Sequence, residues 1–239
     1  RSRAILFSKN RFISKLDDVH AITATSPEEC LLIKVFALKS ILYFYMANTP
    51  SYLSYLEDSD RTVSYLWHGR FLKVLQSRYK PKRWLLKDPS HLGNLDEILS
   101  IYPDACFIHI HRDPAETIPS ICSLTSQVRK GFTDSVNLND LGSRTLDFWE
   151  NSKKRNEAQK TNLNDDQYMD IYYEDFINDP LKTIENIYTK FNFSFDKKNK
   201  ELTESYIEKN VKIQKEKHIY TLEEYGLDKR EVHNRLKIQ

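Results

Sequence analysis

The stretch CFIHIHRDPAETIPS, residues 106–120, constrains the fold more than any other part of the chain. A short apolar run stops at Arg112 and turns at once into Asp-Pro-Ala-Glu. Asp113 is a good N-cap, Pro114 suits the first position of a helix, and Glu116 has capping-box spacing. The pattern predicts a strand over 106–110 and a helix from 114. Two further stretches share this design. In WLLKDPSHL, 84–92, a short strand over 84–86 runs into Lys87-Asp88-Pro89, with a helix over 92–100 behind it. A third strand, over 168–173, precedes Asp179-Pro180 and a helix over 181–191. Strands alternating with helices predict an α/β fold with a mainly parallel sheet flanked by helices.

The other helices follow from caps and periodicity. Ser26, Pro27 and Glu29 open a long buried helix expected over 26–46. An amphipathic helix over 62–79 has Tyr65, Leu66, Phe71, Leu72 and Leu75 as apolar members. A third helix, over 141–159, is rich in exposed charge. The segment 197–217 is lysine-rich, which reads as a solvated helix or loop, or more sharply as a mobile basic lid. With no repeat or low-complexity linker, residues 1–239 read as one domain.

Composition narrows the function. Hydrophobic residues make up 40% of the chain, enough for a packed core. The net charge is +2, with Lys and Arg dispersed, which argues against a general nucleic-acid binder. Cys30, Cys106 and Cys122 are odd in number and far apart, so no disulfide framework or zinc spacing follows, and a reducing, cytoplasmic setting is the simpler expectation. The longest apolar stretch, around 39–46, is too short to span a bilayer. None of the five glycines falls in a phosphate-loop or GxGxxG spacing.

Side chains alternate along a strand, so Phe107, His109 and His111 share one face and Ile108, Ile110 and Arg112 the other. Arg112 then sits at the carboxyl end of a strand, where open α/β sheets bind ligands. The following helix start offers unpaired N–H groups to an anion. Ser120, about two turns along and next to a helix-kinking Pro119, adds a hydroxyl. A phosphate site is one reading; a capping role for Arg112, paired with Asp113 or Glu116, is the other. Lys87 and His91 come from a second strand end and widen the same cleft. His109 and His111 face the same way and raise a metal reading, but no third ligand lies close in sequence, so packed or hydrogen-bonded histidines are expected.

Here the chain resembles the PAPS-dependent sulfotransferases (PAPS is 3′-phosphoadenosine 5′-phosphosulfate), particularly a bacterial branch with LKxPxHL followed by HRDPxExxxSxxSL. The matching segment is LLKDPSHLGNLDEILSIYPDACFIHIHRDPAETIPSICSL, 85–124. The resemblance continues through SPEEC (26–30), YYEDFINDPLKTIENIYTKF (172–191) and KHIYTLEEYGL (217–227). It implies a P-loop-NTPase-like sulfotransferase fold and PAPS as co-substrate, with no metal required. Arg112 and Ser120 match the pair that binds the 3′-phosphate. Tyr173 matches a tyrosine near the adenine, its plain alternative being a core position. Lys217 and His218 match a late segment that closes over the nucleotide. Lys87 is placed to stabilise the transferring group, and His91 is the candidate base. Glu28 and Glu29 are rival carboxylates, more simply read as helix-start charges.

The resemblance also implies a glycine-containing loop similar to PRSGTT before the SPEEC helix. Nothing like it stands in the 25 residues ahead of that helix. The expectation is an N-terminally truncated chain that binds PAPS weakly and turns over poorly alone. Two alternatives stand beside the enzyme: an inactive nucleotide- or partner-binding relative, and a nucleotide kinase, against which the lack of GxxxxGK[ST] counts. The acceptor is expected to be a small molecule, carbohydrate or lipid. Tyr43, Tyr45, Tyr52 and Tyr55 line either its pocket or an aromatic core.

Overall fold

The computed structural model describes residues 27–78, 82–211 and 220–237. Ser26, Lys217 and His218, and the readings placed on them, lie outside the described residues.

Local signals for helices are followed closely. Helices α1 (Leu31–Lys34), α2 (Leu42–Met46), α3 (Pro50–Asp58) and α4 (Thr62–Leu75) precede α5 (Leu95–Ile101). Strand β1 (Phe107–His111) feeds α6 (Pro114–Lys130), and α7 (Leu138–Lys160) leads to β2 (Tyr168–Tyr172). Then come α8 (Tyr173–Asn178), α9 (Pro180–Lys190), α10 (Lys197–Val211) and α11 (Lys229–Arg235). Strands β1 and β2 pair in parallel, with His109 opposite Asp170 and His111 opposite Tyr172. Helix α6 runs unbroken through Pro119.

Asp113 caps α6 by accepting from the Ala115 N–H at 2.8 Å, and Asp179 caps α9 by accepting from the Lys182 N–H at 3.0 Å. The expected capping box at α6 does not close, because Glu116 turns back to pair with Arg112.

Three expectations need correction. The helix read over 26–46 is broken into α1, a 3-10 turn over Val35–Ala37 and α2. Leu38 takes a left-handed φ of 53°. Next to it, the buried Ser40 hydroxyl donates to the Leu31 carbonyl at 2.8 Å and accepts from the Leu42 N–H at 3.3 Å. A serine that bonds backbone groups this way competes with the helix ladder. Residues 84–86 form no strand: Leu85 is 92% exposed, and among the described residues a single backbone bond, Cys30 N–H to the Lys87 carbonyl at 2.9 Å, fixes the segment's end. Tyr173 belongs to α8, not to the third predicted strand.

The main core lies between helices. Phe44 and Tyr45 of α2, Leu53 and Leu56 of α3, Ile118 and Cys122 of α6, and Leu146, Phe148 and Trp149 of α7 pack together. Val232 and Leu236 close it from the C-terminal side. The 3-10 turn Glu223–Tyr225 lies so close to α7 that a Cβ on Gly142 would overlap the Tyr225 backbone, so only glycine fits there. The isoleucine face of β1 is the more open one, with Ile110 53% exposed, and the histidine face is the half-buried one.

Candidate functional site

Arg112 leaves β1 at its carboxyl end and lies just ahead of α6. Its guanidinium sits 4.7 Å from the centre of the Tyr173 ring. It also donates to Glu116 from Nη2 at 2.8 Å and from Nε at 3.1 Å. Of the two readings of Arg112, the structure shows the pairing with Glu116; the guanidinium also lies over the Tyr173 ring, just ahead of a helix start. The Glu116 pair is exposed and one helical turn apart, a class of contact that contributes about 0.2–1 kcal/mol. An incoming phosphate can displace it, while the aromatic face keeps the guanidinium in place.

Ser120 is partly buried in α6, and among the described residues its hydroxyl has no hydrogen-bond partner. No hydrogen bond joins it to Arg112. His233 of α11 reaches Asp113, Nε2 to Oδ1 at 2.7 Å. Beside this contact lies an open cavity of about 500 Å³, lined by Asp228, Lys229, Arg230, His233 and Asn234. The cap of α6 is thus tied to a helix from the far end of the chain.

The Lys87–His91 segment is organised differently. Lys87 is exposed and pairs with Glu29. Glu29, expected as helix-start charge, is in fact the lysine's counter-ion. His91 is anchored from behind: its Nδ1 lies 2.9 Å from the Tyr65 hydroxyl. Burial and the nearby Lys34 push the imidazole down to about 3, although the residue as a whole is only partly buried. His91 is therefore neutral at physiological pH. Burial also raises Tyr65 well above its ordinary value, so its hydroxyl keeps its proton.

Behind His91 is a buried polar cluster that sequence reasoning missed. Lys34 Nζ lies 2.8 Å from Asp88 Oδ2 and donates to the Ser90 hydroxyl at 2.6 Å. Asp88 Oδ1 accepts from both the N–H and the hydroxyl of Ser90 at 2.8 Å. Burial works to raise the Asp88 carboxyl, but Lys34, His91 and the Ser90 bonds outweigh it and hold the group below its usual range. His68 Nδ1 meets the Tyr102 hydroxyl at 2.7 Å, and burial with Lys34 pushes that imidazole down to about 4. One signal was available in the sequence: Tyr65 and His68, three apart on α4, share its buried side.

The four tyrosines sit in different surroundings: the Tyr43 hydroxyl donates to the Val35 carbonyl at 3.2 Å. Tyr45 is buried in the core, Tyr52 accepts from the Ser40 N–H at 3.0 Å, and Tyr55 is 50% exposed. All three cysteines are free. Among the described residues no helix is long and apolar enough to cross a membrane.

Known proteins of similar sequence and fold are sulfotransferases. The family model described as "Sulfotransferase family" matches residues 3–197. Omega-hydroxy-beta-dihydromenaquinone-9 sulfotransferase Stf3 of Mycobacterium bovis is 24% identical over 144 residues, covering 58% of this chain and 37% of its own length. The same-named protein of Mycobacterium tuberculosis matches equally. The crystal structure of sulfotransferase STF1 from Mycobacterium tuberculosis H37Rv superposes with a TM-score of 0.79 at 30% identity, over 90% of this chain and 56% of that one. Sulfotransferase STF9 from Mycobacterium avium shares the fold, with a TM-score of 0.83 at 22% identity over 98% of this chain and 62% of its own. The chain thus spans less than two thirds of the length of each of these relatives. With the family model covering most of its residues, this chain belongs to the sulfotransferase family.

Proposed function

We propose that the chain carries the 3′-phosphate half of a PAPS site and the reacting groups of a sulfuryl transfer to a hydroxyl or amine. The observation that carries this reading is the Arg112 guanidinium, held over Tyr173 at the start of α6 with only an exposed partner to give up. Arg112 and the Ser120 hydroxyl take the 3′-phosphate. The Tyr173 ring is the surface we assign to the adenine.

In the reaction, the acceptor oxygen or nitrogen forms a bond to sulfur as the bond between sulfur and the bridging oxygen of the 5′-phosphate breaks. Adenosine 3′,5′-bisphosphate leaves. Lys87, released from Glu29, stabilises charge on the transferring group and on the leaving phosphate. His91 takes the acceptor proton. A pKa of about 3 makes it a weak base in the free chain. The negative charge of a bound nucleotide raises it toward a useful range. The base reading needs the tautomer in which Nδ1–H donates to Tyr65 and Nε2 is bare. No step passes through a metal. A hydroxyl on a lipid is a suitable acceptor class, since the Stf3 relatives are named for a hydroxylated menaquinone.

The test compares two ligands on two proteins: adenosine 3′,5′-bisphosphate and adenosine 5′-phosphate, each titrated into the chain and into Arg112→Ala. The proposal expects the bisphosphate to bind more tightly to the native chain and that preference to vanish in the variant. Equal affinity of the native chain for both ligands would overturn it.

A further inference from the structure

On the half-buried face of the sheet, opposite Arg112, three chemistry-bearing side chains meet that the sulfuryl-transfer reading does not use. His109 and His111 project from β1, and Asp170 stands opposite His109 in β2. One ligand atom from each, all three taken together, lie within 4.8 Å of one another. His111 Nε2 is 2.7 Å from Asp170 Oδ1, and His109 Nδ1 is 3.7 Å from the same oxygen. The two imidazole rings are 4.0 Å apart, centre to centre.

We propose that His109, His111 and Asp170 form a binding site for a first-row divalent transition ion, with Zn²⁺ the best match to the ligand set. Two imidazole nitrogens and one carboxylate oxygen are the donors such an ion takes, at about 2.0–2.2 Å each. A tetrahedral ion with those bond lengths needs its donors about 3.3 Å apart. The observed separations from Asp170 Oδ1 straddle that value, so side-chain adjustments of well under a residue's width admit the ion. Three protein ligands leave a fourth position for water. The side chains of His111, His109 and Asp170 are 13%, 21% and 33% exposed, which gives an ion a way in.

The surroundings fit ligands held in place beforehand. Asp170 Oδ2 accepts from Lys160 Nζ at 2.6 Å, which orients the carboxylate and leaves Oδ1 for the ion. The His111 ring stacks on Tyr172, with centroids 5.3 Å apart. The Tyr168 hydroxyl, 2.9 Å from His109 Nδ1, also accepts from Asn156 Nδ2 at 3.1 Å and keeps that bond when the nitrogen turns to the ion. In the ion-free state hydrogen bonds hold the triad; the ion takes their place. Its effect is to clamp β1 to β2 one residue before Arg112. The sequence hid the site because Asp170 is 59 residues from His111 and only strand register brings them together.

The experiment is a titration of the chain, without added histidines, with Co²⁺ followed by its ligand-field absorption, and then displacement by Zn²⁺. The expected result is a saturable tetrahedral-type signal at one ion per chain, reversed by Zn²⁺. His111→Ala and Asp170→Asn should each weaken binding by more than the roughly 10- to 100-fold that loss of an outer hydrogen-bond partner costs a metal site. Lys160→Met, which removes only such an outer partner, should cost less. Circular dichroism identifies variants that have lost the fold, and His109→Ala replaces any that have. No saturable signal, or unchanged affinity in folded ligand variants, would overturn the proposal. Either result leaves the nucleotide assignment untouched, because that assignment rests on Arg112 and the opposite face.

Discussion

Arg112 and Lys34 are both cations with a carboxylate partner, and they are held in opposite ways. Arg112 is more than one-third exposed and is opposed by an exposed glutamate one turn away. Lys34 is 4% exposed and faces an Asp88 side chain with no solvent contact at all. A buried pair of this kind is costly to separate, because each member depends on the other for its charge. An exposed pair gives up its partner cheaply. On the proposed reading, the exposed cation is the one available to a ligand, while the buried one serves as scaffolding, where Lys34, Asp88 and Ser90 fix the turn that carries His91.

The sharpest way to break this contrast is to remove one side of the buried pair. Asp88→Ala strands a buried lysine and should cost about 3–5 kcal/mol of stability in urea unfolding. A loss below about 1 kcal/mol would show that the cluster is not the scaffold.

Acid should act on the same region. His68 and His91 have folded pKa values of about 4 and about 3, below the ordinary 6.5. The unfolded chain therefore binds more protons than the folded one between those values and pH 6.5. Stability is fully present above about pH 6.5 and falls as pH drops, by on the order of 2 kcal/mol from each group by pH 5. His68→Gln and His91→Gln should flatten the slope of melting temperature against pH in that window, and an unchanged slope would contradict the burial argument.

The exposed side predicts smaller effects. Tyr173→Leu removes the aromatic face under Arg112. The affinity for adenosine 3′,5′-bisphosphate should fall at least about two- to fivefold, the 0.5–1 kcal/mol of an exposed cation–π contact, and further by whatever the ring contributes as the adenine surface. Glu116→Gln frees Arg112 from its resting partner and should raise the same affinity by no more than about fivefold. A decrease would mean that Glu116 positions the guanidinium for the ligand.

The contrast also explains what could be read from the chain. The β1–α6 junction was legible because its determinants are adjacent: an apolar run, Arg112, a capping aspartate and Pro114. The α9 start at Asp179-Pro180 was legible for the same reason. Residues 84–86 misled because apolar character alone does not supply a pairing partner, and Leu85 points into solvent. The helix read over 26–46 misled because Ser40 makes bonds that only the folded chain offers, to Leu31 and Tyr52. Of the candidate site, Arg112 and Tyr173 are each legible as expected neighbours of a nucleotide, but their contact with one another is not. The supports of His91 come from Lys34, 57 positions before it, and from Tyr65 on α4. Asp170 reaches His111 only through strand register. Contacts of that range carry no local pattern.

The proposed function turns on Arg112 being a ligand-binding cation and not a structural cap. The direct test is calorimetric titration of adenosine 3′,5′-bisphosphate into the chain and into Arg112→Ala, with the melting temperature of each protein measured alongside. The account predicts that the binding heat disappears in the variant, while its melting temperature stays within what loss of one exposed ion pair allows. A variant that still binds the bisphosphate as the native chain does, or that melts several degrees lower with unchanged binding, would contradict it.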